Sequence, residues 1–456
     1  MLPDKKLLNF QGKNGRDEFK REQIADKAIS LLTSEIEVSP MVIDGDWGTG
    51  KTEFCHKLIN KFKANHTEYS IVYVDAFQAD HADNPLMTIL AEVMSLLPEG
   101  SKKEGFLKRA IPVARYGITT ALKAGASHLL RANADDLAAG LDKHLEDAAN
   151  TVIDASVLAV LREHEKAKEN LEALQIALSE LAEEKPIVIF IDELDRCRPD
   201  FAVQMLEVIK HTFDVKGVQF VLVTNTTQLR AAINHRYGPL VDAQRYLDKF
   251  LNFSFSLPDG ILGTTFYDHT RLGSAEHFNN LIKESTVLIN TDLSDYSDGL
   301  GSFANTLIIH NKLSLREVET FVRHLEIFTM LSQSFDPRYS NGTQLLQVFG
   351  VYIFCFRHDI EDSIRTNKTD ANTIVKLLSA NSASELEAGL GSHLHSNIIA
   401  FFLASDCFYN KDNYQPKVEN AEKWTQEFSS YFGYRTPVQG ERFTLVLQAI
   451  NSLSLN

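Results

Sequence analysis

The sequence predicts an α/β core with a mostly parallel five-stranded sheet, followed by an all-helical C-terminal region. Three observations carry this. Five short apolar runs, Met41–Asp44, Ser70–Asp75, Ile187–Ile191, Gln219–Thr224 and Phe253–Leu257, are separated by helical patterns. Strands alternating with helices pair in parallel, with both sheet faces covered. A glycine-rich octapeptide, Gly45-Asp46-Trp47-Gly48-Thr49-Gly50-Lys51-Thr52, joins the first run to a helical pattern over Glu53 to Phe62. After Pro258 the strand-like runs stop, and helical periodicity fills the chain from Thr306 onward.

Along the chain, Asp17 to Glu35 reads as a helix, because Phe19, Ile24, Ala28, Leu31 and Leu32 fall on one stripe. The octapeptide then fits G-x-x-x-x-G-K-[ST] at every fixed position, between a strand and a helix. Glycines let the backbone curl so that successive N–H groups point inward at phosphate oxygens, and the helix aims its positive end at the same anion. Gly45, Asp46, Trp47, Gly48, Thr49, Gly50, Lys51, Thr52 and Glu53 are therefore the candidate nucleotide-binding segment. Lys51 is expected on the β- and γ-phosphates, and the Thr52 hydroxyl on Mg²⁺. Trp47 is expected to pack under the loop and fix its shape.

The third run, Pro186 to Ile191, is continuously apolar, as a strand buried on both faces should be, and it ends in Asp192-Glu193. Asp192 is placed to hold Mg²⁺, and Glu193 to activate the attacking water. Leu158 to Glu184 reads as a long helix, with Leu171, Leu174, Leu178 and Leu181 at three- and four-residue spacing; Phe201 to Phe213 reads as another. Ser101 to Asn150 is rich in Ala, Gly and Leu, but Arg115 and Lys123 preclude a simple membrane span. It reads as helices packed on the same chain or as an interaction segment. Ile261 to Ser302 reads as loop-rich, with a flexible polar stretch from Asn290. Helices follow at Leu313–Leu331, Gly342–Arg357, Asp370–Leu378, Ala383–Leu390, Ile398–Ser405, Glu419–Phe432 and Glu441–Leu453.

These boundaries give a core over 1–258 with an insertion at about 101–150, a helical lid over 259–330 and a C-terminal helical domain over 331–456. The 456 residues suffice for two or three domains. A formal net charge of −15 argues against a broad electrostatic grip on nucleic acid. Cys55, Cys197, Cys355 and Cys407 lack metal-site spacing and are expected to be reduced, mostly buried thiols in a cytoplasmic protein. The longest apolar stretches fall short of the roughly 20 residues a membrane span needs. His393 and His395 are too few for a metal site and are expected at the surface.

On these motifs the chain resembles the KAP family of P-loop NTPases. The phosphate loop matches the family form G-x-W-G-x-G-K-[ST] through Trp47. Asp192-Glu193-Leu194-Asp195-Arg196-Cys197 matches its acidic string, and Tyr246-Leu247-Asp248-Lys249 and Leu257-Pro258 match strings around its fifth strand. Asp75-Ala76-Phe77 resembles a triplet after the second strand, and Ser314-Leu315-Arg316-Glu317 a later Arg-Glu pair. The matches cover about 17–330.

The resemblance implies an additional-strand ATPase, its fourth strand between the phosphate-loop strand and the acidic strand, with Asn225 beside the γ-phosphate. It implies ATP and Mg²⁺ as cofactors. It also implies a switch or energy-transducing role in bacterial defence against phage or mobile DNA, as a homo-oligomer or with an effector protein. The chain departs from relatives that carry two membrane helices at the 101–150 position, which argues against integral membrane association. Glu193 stands where relatives often have Asp, and Thr224-Asn225 where they often have Val-Asp. Residues 331–456 resemble no family. Arg316, Arg236 and Arg245 are candidates to neutralise γ-phosphate charge, Arg316 first because its helix follows the core. Asp195 and Arg196 either contact a neighbour's nucleotide or form a local ion pair, and Asp75 either lies near the metal or makes a strand-end hydrogen bond. A remodelling motor and a nucleotide-binding scaffold without turnover are the alternative readings. The lack of a guanine-reading N-K-x-D string favours ATP.

Overall fold

The structure is a computed structural model that describes residues 7–11, 15–17, 19–82, 84–113, 166, 168–258, 260–261, 271–297, 299–332, 335, 341–378, 386, 394–433 and 436–454. The 101–150 segment beyond 113, the start of the Leu158–Glu184 helix, His393, and the Ala383–Leu390 helix apart from Leu386 lie outside these. The chain forms two compact units, one of residues 1–46 with 50–257 and one of 47–49 with 258–456.

In the first unit five strands make one parallel sheet. They are β1 (Met41–Asp44), β2 (Ser70–Asp75), β3 (Ile187–Asp192), β4 (Val218–Thr224) and β5 (Phe253–Ser256), in the order β2-β3-β4-β1-β5. β4 thus lies between β1 and β3, the additional-strand arrangement. Alternating side chains explain the apolar runs. Ile187, Ile189 and Ile191 face a layer with Leu90, Leu178, Phe201 and Leu206, while Val188 and Phe190 face Leu32, Phe54, Leu58 and Phe62. Each such side chain contributes about 1.5–3 kcal/mol by leaving water. Asp44 pairs in register with Thr224, and Asp75 with Asp192. Polar groups therefore collect at the carboxyl ends of the strands, where open α/β sheets bind ligands.

Local signals set the flanking helices. Glu22–Leu32 and Lys51–Asn65 pack on one face. Pro85–Ser95 starts with Pro85 just inside, and the Asn84 side chain accepts from the Met87 amide at 3.1 Å. The helix over 101–113 buries Phe106, Ala110 and Val113, and its basic residues pair with the helix over 168–184, Lys102 with Glu184 at 2.6 Å and Arg109 with Glu180 at 2.8 Å. This part of the insertion packs on its own chain. Among the described residues no helix is long and apolar enough to cross a membrane.

Among its described residues the second unit is mostly helical, with a two-stranded pair, Gly260–Ile261 with Arg271–Leu272. Its helices are Gly273–Glu284, Leu300–His310, Leu315–Ser332, Asn341–Phe356, His358–Arg365, Ala371–Leu378, His395–Ala404, Ala421–Phe432 and Thr444–Leu453, around one core cluster. Two expectations are corrected here. The loop-rich stretch holds the Gly273–Glu284 helix, with Phe278 and Ile282 fully buried, and the polar segment from Asn290 anchors itself through buried Leu293 and the Asp295 oxygens. Ala275, Phe278, Leu281 and Ile282 do fall at helical spacing, whereas the segment from Asn290 has too few apolar residues to show a period. His395 is also buried, its ring Nδ1 2.9 Å from the Tyr431 hydroxyl.

Aromatic stacking fills this core: Phe401 lies on Trp424 at 4.1 Å and Phe402 on Phe432 at 4.4 Å, while the Arg442 guanidinium covers Phe402 at 4.4 Å. The Asn341–Phe356 and Thr444–Leu453 helices cross at Gly350, where an added Cβ would meet the Val446 oxygen and the Ala449 Cβ at 2.8 Å. Gly350→Ala is expected to destabilise the protein by about 1–3 kcal/mol through overpacking. That outweighs the roughly 1 kcal/mol an unhindered helical Gly→Ala change gains. Urea unfolding of the two proteins checks it.

Candidate functional site

The phosphate loop needs two left-handed residues, and glycines supply them: Gly48 at φ +81° and Gly50 at φ +80°. Gly50 leads directly into the Lys51–Asn65 helix, whose first turn carries Lys51 and Thr52. The Lys51 ammonium is buried and donates to the Gly45 and Asp46 carbonyls at 2.5 and 3.0 Å. Burial depresses its pKa, while Asp195, Asp192 and Asp44 pull it the other way. Glu53, in the same turn, pairs with Lys57 at 2.7 Å.

Asp192 ends β3 with 1% of its surface exposed. Two donors hold its carboxylate, the Glu193 amide at 2.8 Å and the Tyr73 hydroxyl at 3.2 Å, and the nearby Thr52 hydroxyl also favours its charge. Burial nevertheless pushes its pKa up to about 6. Thr52 and Asp192, the two residues expected to hold Mg²⁺, thus lie close together. Among the described residues no three His, Cys, Asp or Glu side chains form a metal cluster. A hydroxyl and one carboxylate nevertheless fit Mg²⁺, which keeps most of its coordination for water and phosphate oxygens.

Glu193 follows in the left-handed region at φ +60°, a strain of about 1–3 kcal/mol for a residue other than glycine. Its carboxylate pairs with Arg196 at 3.0 Å, so the ion pair at Arg196 is made with Glu193 and not with Asp195. Asp195 instead accepts from the Thr224 hydroxyl at 3.2 Å. Asn225 bridges two strand ends: its amide nitrogen donates to Asp46 at 3.1 Å, and its oxygen caps the following helix through Thr227 and Gln228. Asp75 makes a strand-end bond to the Gln78 amide at 2.9 Å. The loop after the acids is clamped by Asp80, which accepts from the Arg198 amide at 3.0 Å and its Nε at 3.1 Å.

In the second unit, Ser314 and Glu317 form a capping box on the Leu315–Ser332 helix, with the Ser314 amide donating to Glu317 at 2.8 Å. The Leu315 amide donates to the Gly48 carbonyl at 3.1 Å, and a Cβ on Gly48 would lie 3.5 Å from the Arg316 Cβ. Trp47 is 52% exposed, so it does not pack beneath the loop. Arg236 pairs with Asp200 at 3.0 Å, and the Arg245 side chain extends into solvent.

Sequence reasoning missed Tyr73 and the Asp80–Arg198 clamp. Tyr73 reads as one more residue of an apolar strand, and its hydroxyl gains meaning only once β2 pairs with β3. Asp80 and Arg198 are too far apart in sequence to suggest each other.

The KAP family P-loop domain matches residues 21–332. No curated protein matches the chain. Among solved structures, the Aeropyrum pernix ORC2 protein in ADPNP and ADP complexes is similar at 11% identity, over 96% of this chain and 94% of that one, with a TM-score of 0.34.

A raised acid pKa sets a pH limit. Asp192 is charged above about 6 and neutral below it, so Mg²⁺-dependent nucleotide affinity is expected to fall as pH drops through about 6. Titration with and without Mg²⁺ between pH 5 and 8 checks this; Asp192→Asn should lose the Mg²⁺ dependence across the whole range.

Proposed function

Since the chain belongs to the KAP family of P-loop domains, we propose that it hydrolyses ATP with Mg²⁺ and uses the cycle as a switch. The observation that carries the reading is the placing of Thr52 and Asp192 close together, beside Lys51 and with Glu193 next in the chain. A hydroxyl and an ammonium at the start of one helix, with a carboxylate at the end of a neighbouring strand, are what a magnesium triphosphate requires, with a second carboxylate close by for water.

In this reading the loop amides and Lys51 bind the phosphates, Lys51 exchanging the Gly45 and Asp46 carbonyls for phosphate oxygens. Thr52 and Asp192 would hold Mg²⁺, whose contribution is to neutralise charge on the β- and γ-phosphates. Glu193 accepts the proton of the attacking water, and Asn225 orients that water from the end of β4. Arg316 neutralises charge on the γ-phosphate, a role worth about 10³–10⁵ in rate in other phosphoryl-transfer enzymes. Resemblance alone supports the setting: a cytoplasmic oligomer or effector-coupled switch in defence against phage or mobile DNA.

Phosphate release by wild type and Glu193→Gln, with nucleotide affinity measured in parallel, tests the chemistry. Glu193→Gln is expected to lose at least about 100-fold in turnover, the scale of general-base catalysis, while still binding ATP. Lys51→Ala should lose binding itself. Equal turnover in wild type and Glu193→Gln would leave only the scaffold reading. Sedimentation with and without ATP reports whether assembly follows the nucleotide.

A further inference from the structure

The pairing of Glu193 with Arg196 has no role in the hydrolysis proposed above, yet the surrounding backbone fixes it. Arg196 ends a single 3₁₀ turn, Leu194–Arg196, whose amide returns to the Glu193 carbonyl at 3.1 Å. Three contacts fix that turn. Thr224 donates to Asp195 at 3.2 Å, the Cys197 thiol donates to the Glu193 carbonyl at 3.6 Å, and Asp80 holds the Arg198 amide and guanidinium. The left-handed backbone at Glu193 sets the direction in which its side chain leaves the strand. Carboxylate and guanidinium are therefore brought together by rigid backbone on both sides. An acid that is to take a proton from water must offer water an oxygen lone pair, and the one nearest Arg196 is occupied.

We propose that Arg196 is a positioning residue that holds Glu193 back from the attacking water and so slows turnover until the pair opens. The proposal rests on the reading of Glu193 as the base. It also places Arg196 in cis, acting on its own chain's acid, and makes the opening of this pair a step that an activating partner can control. The pair is partly exposed, so its hold is modest. Its removal corresponds to a gain of about two- to fivefold in rate.

The test is steady-state phosphate release by wild type, Arg196→Ala, Arg196→Lys, Glu193→Gln and the double variant Arg196→Ala/Glu193→Gln, with KM, ATP affinity and a melting curve for each. Arg196→Ala is expected to raise kcat about two- to fivefold at unchanged KM, and Arg196→Lys to fall between it and wild type. The gain should vanish in the Glu193→Gln background. A faster enzyme is a result that damage to the fold does not produce. Folded Arg196→Ala with unchanged or lower kcat overturns the proposal, the lower value marking Arg196 as an arginine the reaction needs. If Arg196→Ala melts early, Arg196→Lys decides: a kcat at or below wild type sinks the idea. Full turnover in Glu193→Gln would instead remove the base assignment, and the proposal with it.

Discussion

A carboxylate that water barely reaches, at the end of the most buried strand, is the constraint around which the first unit is arranged. Burying Asp192 penalises its charged form, and the protein answers with hydrogen bonds from the Tyr73 hydroxyl and the Glu193 amide and with the Thr52 hydroxyl placed nearby. Each group depends on a different level of structure. The Thr52 hydroxyl needs the glycine-turned loop to start its helix one residue earlier; the Tyr73 hydroxyl needs β2 in register with β3; the Glu193 amide needs only its place directly after Asp192 in the chain. Shifting β2 by one residue would turn Tyr73 to the other face and remove a donor. Sheet register and site chemistry are thus one requirement.

The same register explains how much of the core was legible beforehand. Strands buried on both faces must be apolar throughout, so β3 and β4 announce themselves as unbroken runs, and a phosphate cradle constrains its residue types tightly enough to be read as a string. Residues that serve the site from other strands carry no such mark. Tyr73, Asp80 and Arg198 look like ordinary strand and loop residues until the chain is folded. Trp47 was misjudged for a related reason: an indole in a tight turn suggests packing beneath it, whereas the turn closes on itself and leaves the ring half exposed.

The helical unit was legible by periodicity where its helices are long, and obscure where a segment owes its order to one or two residues. Leu293 and the oxygens of Asp295 seat the stretch after Asn290, and a buried His395–Tyr431 pair replaces what two alternating histidines suggested. Arg442, with its guanidinium over Phe402 and its Nη1 donating to the Phe402 carbonyl at 2.7 Å, shows the same logic, since a charged residue is buried only with aromatic faces and carbonyl oxygens to receive it.

One bond at the crest of the phosphate loop sets the polarity of a peptide plane. The Gly48 oxygen is claimed by the amide that opens the Leu315–Ser332 helix. A trans peptide points its oxygen and its hydrogen in opposite directions. The Thr49 hydrogen is therefore turned away from that helix, so a residue far down the chain decides which way one of the cradle's own dipoles faces.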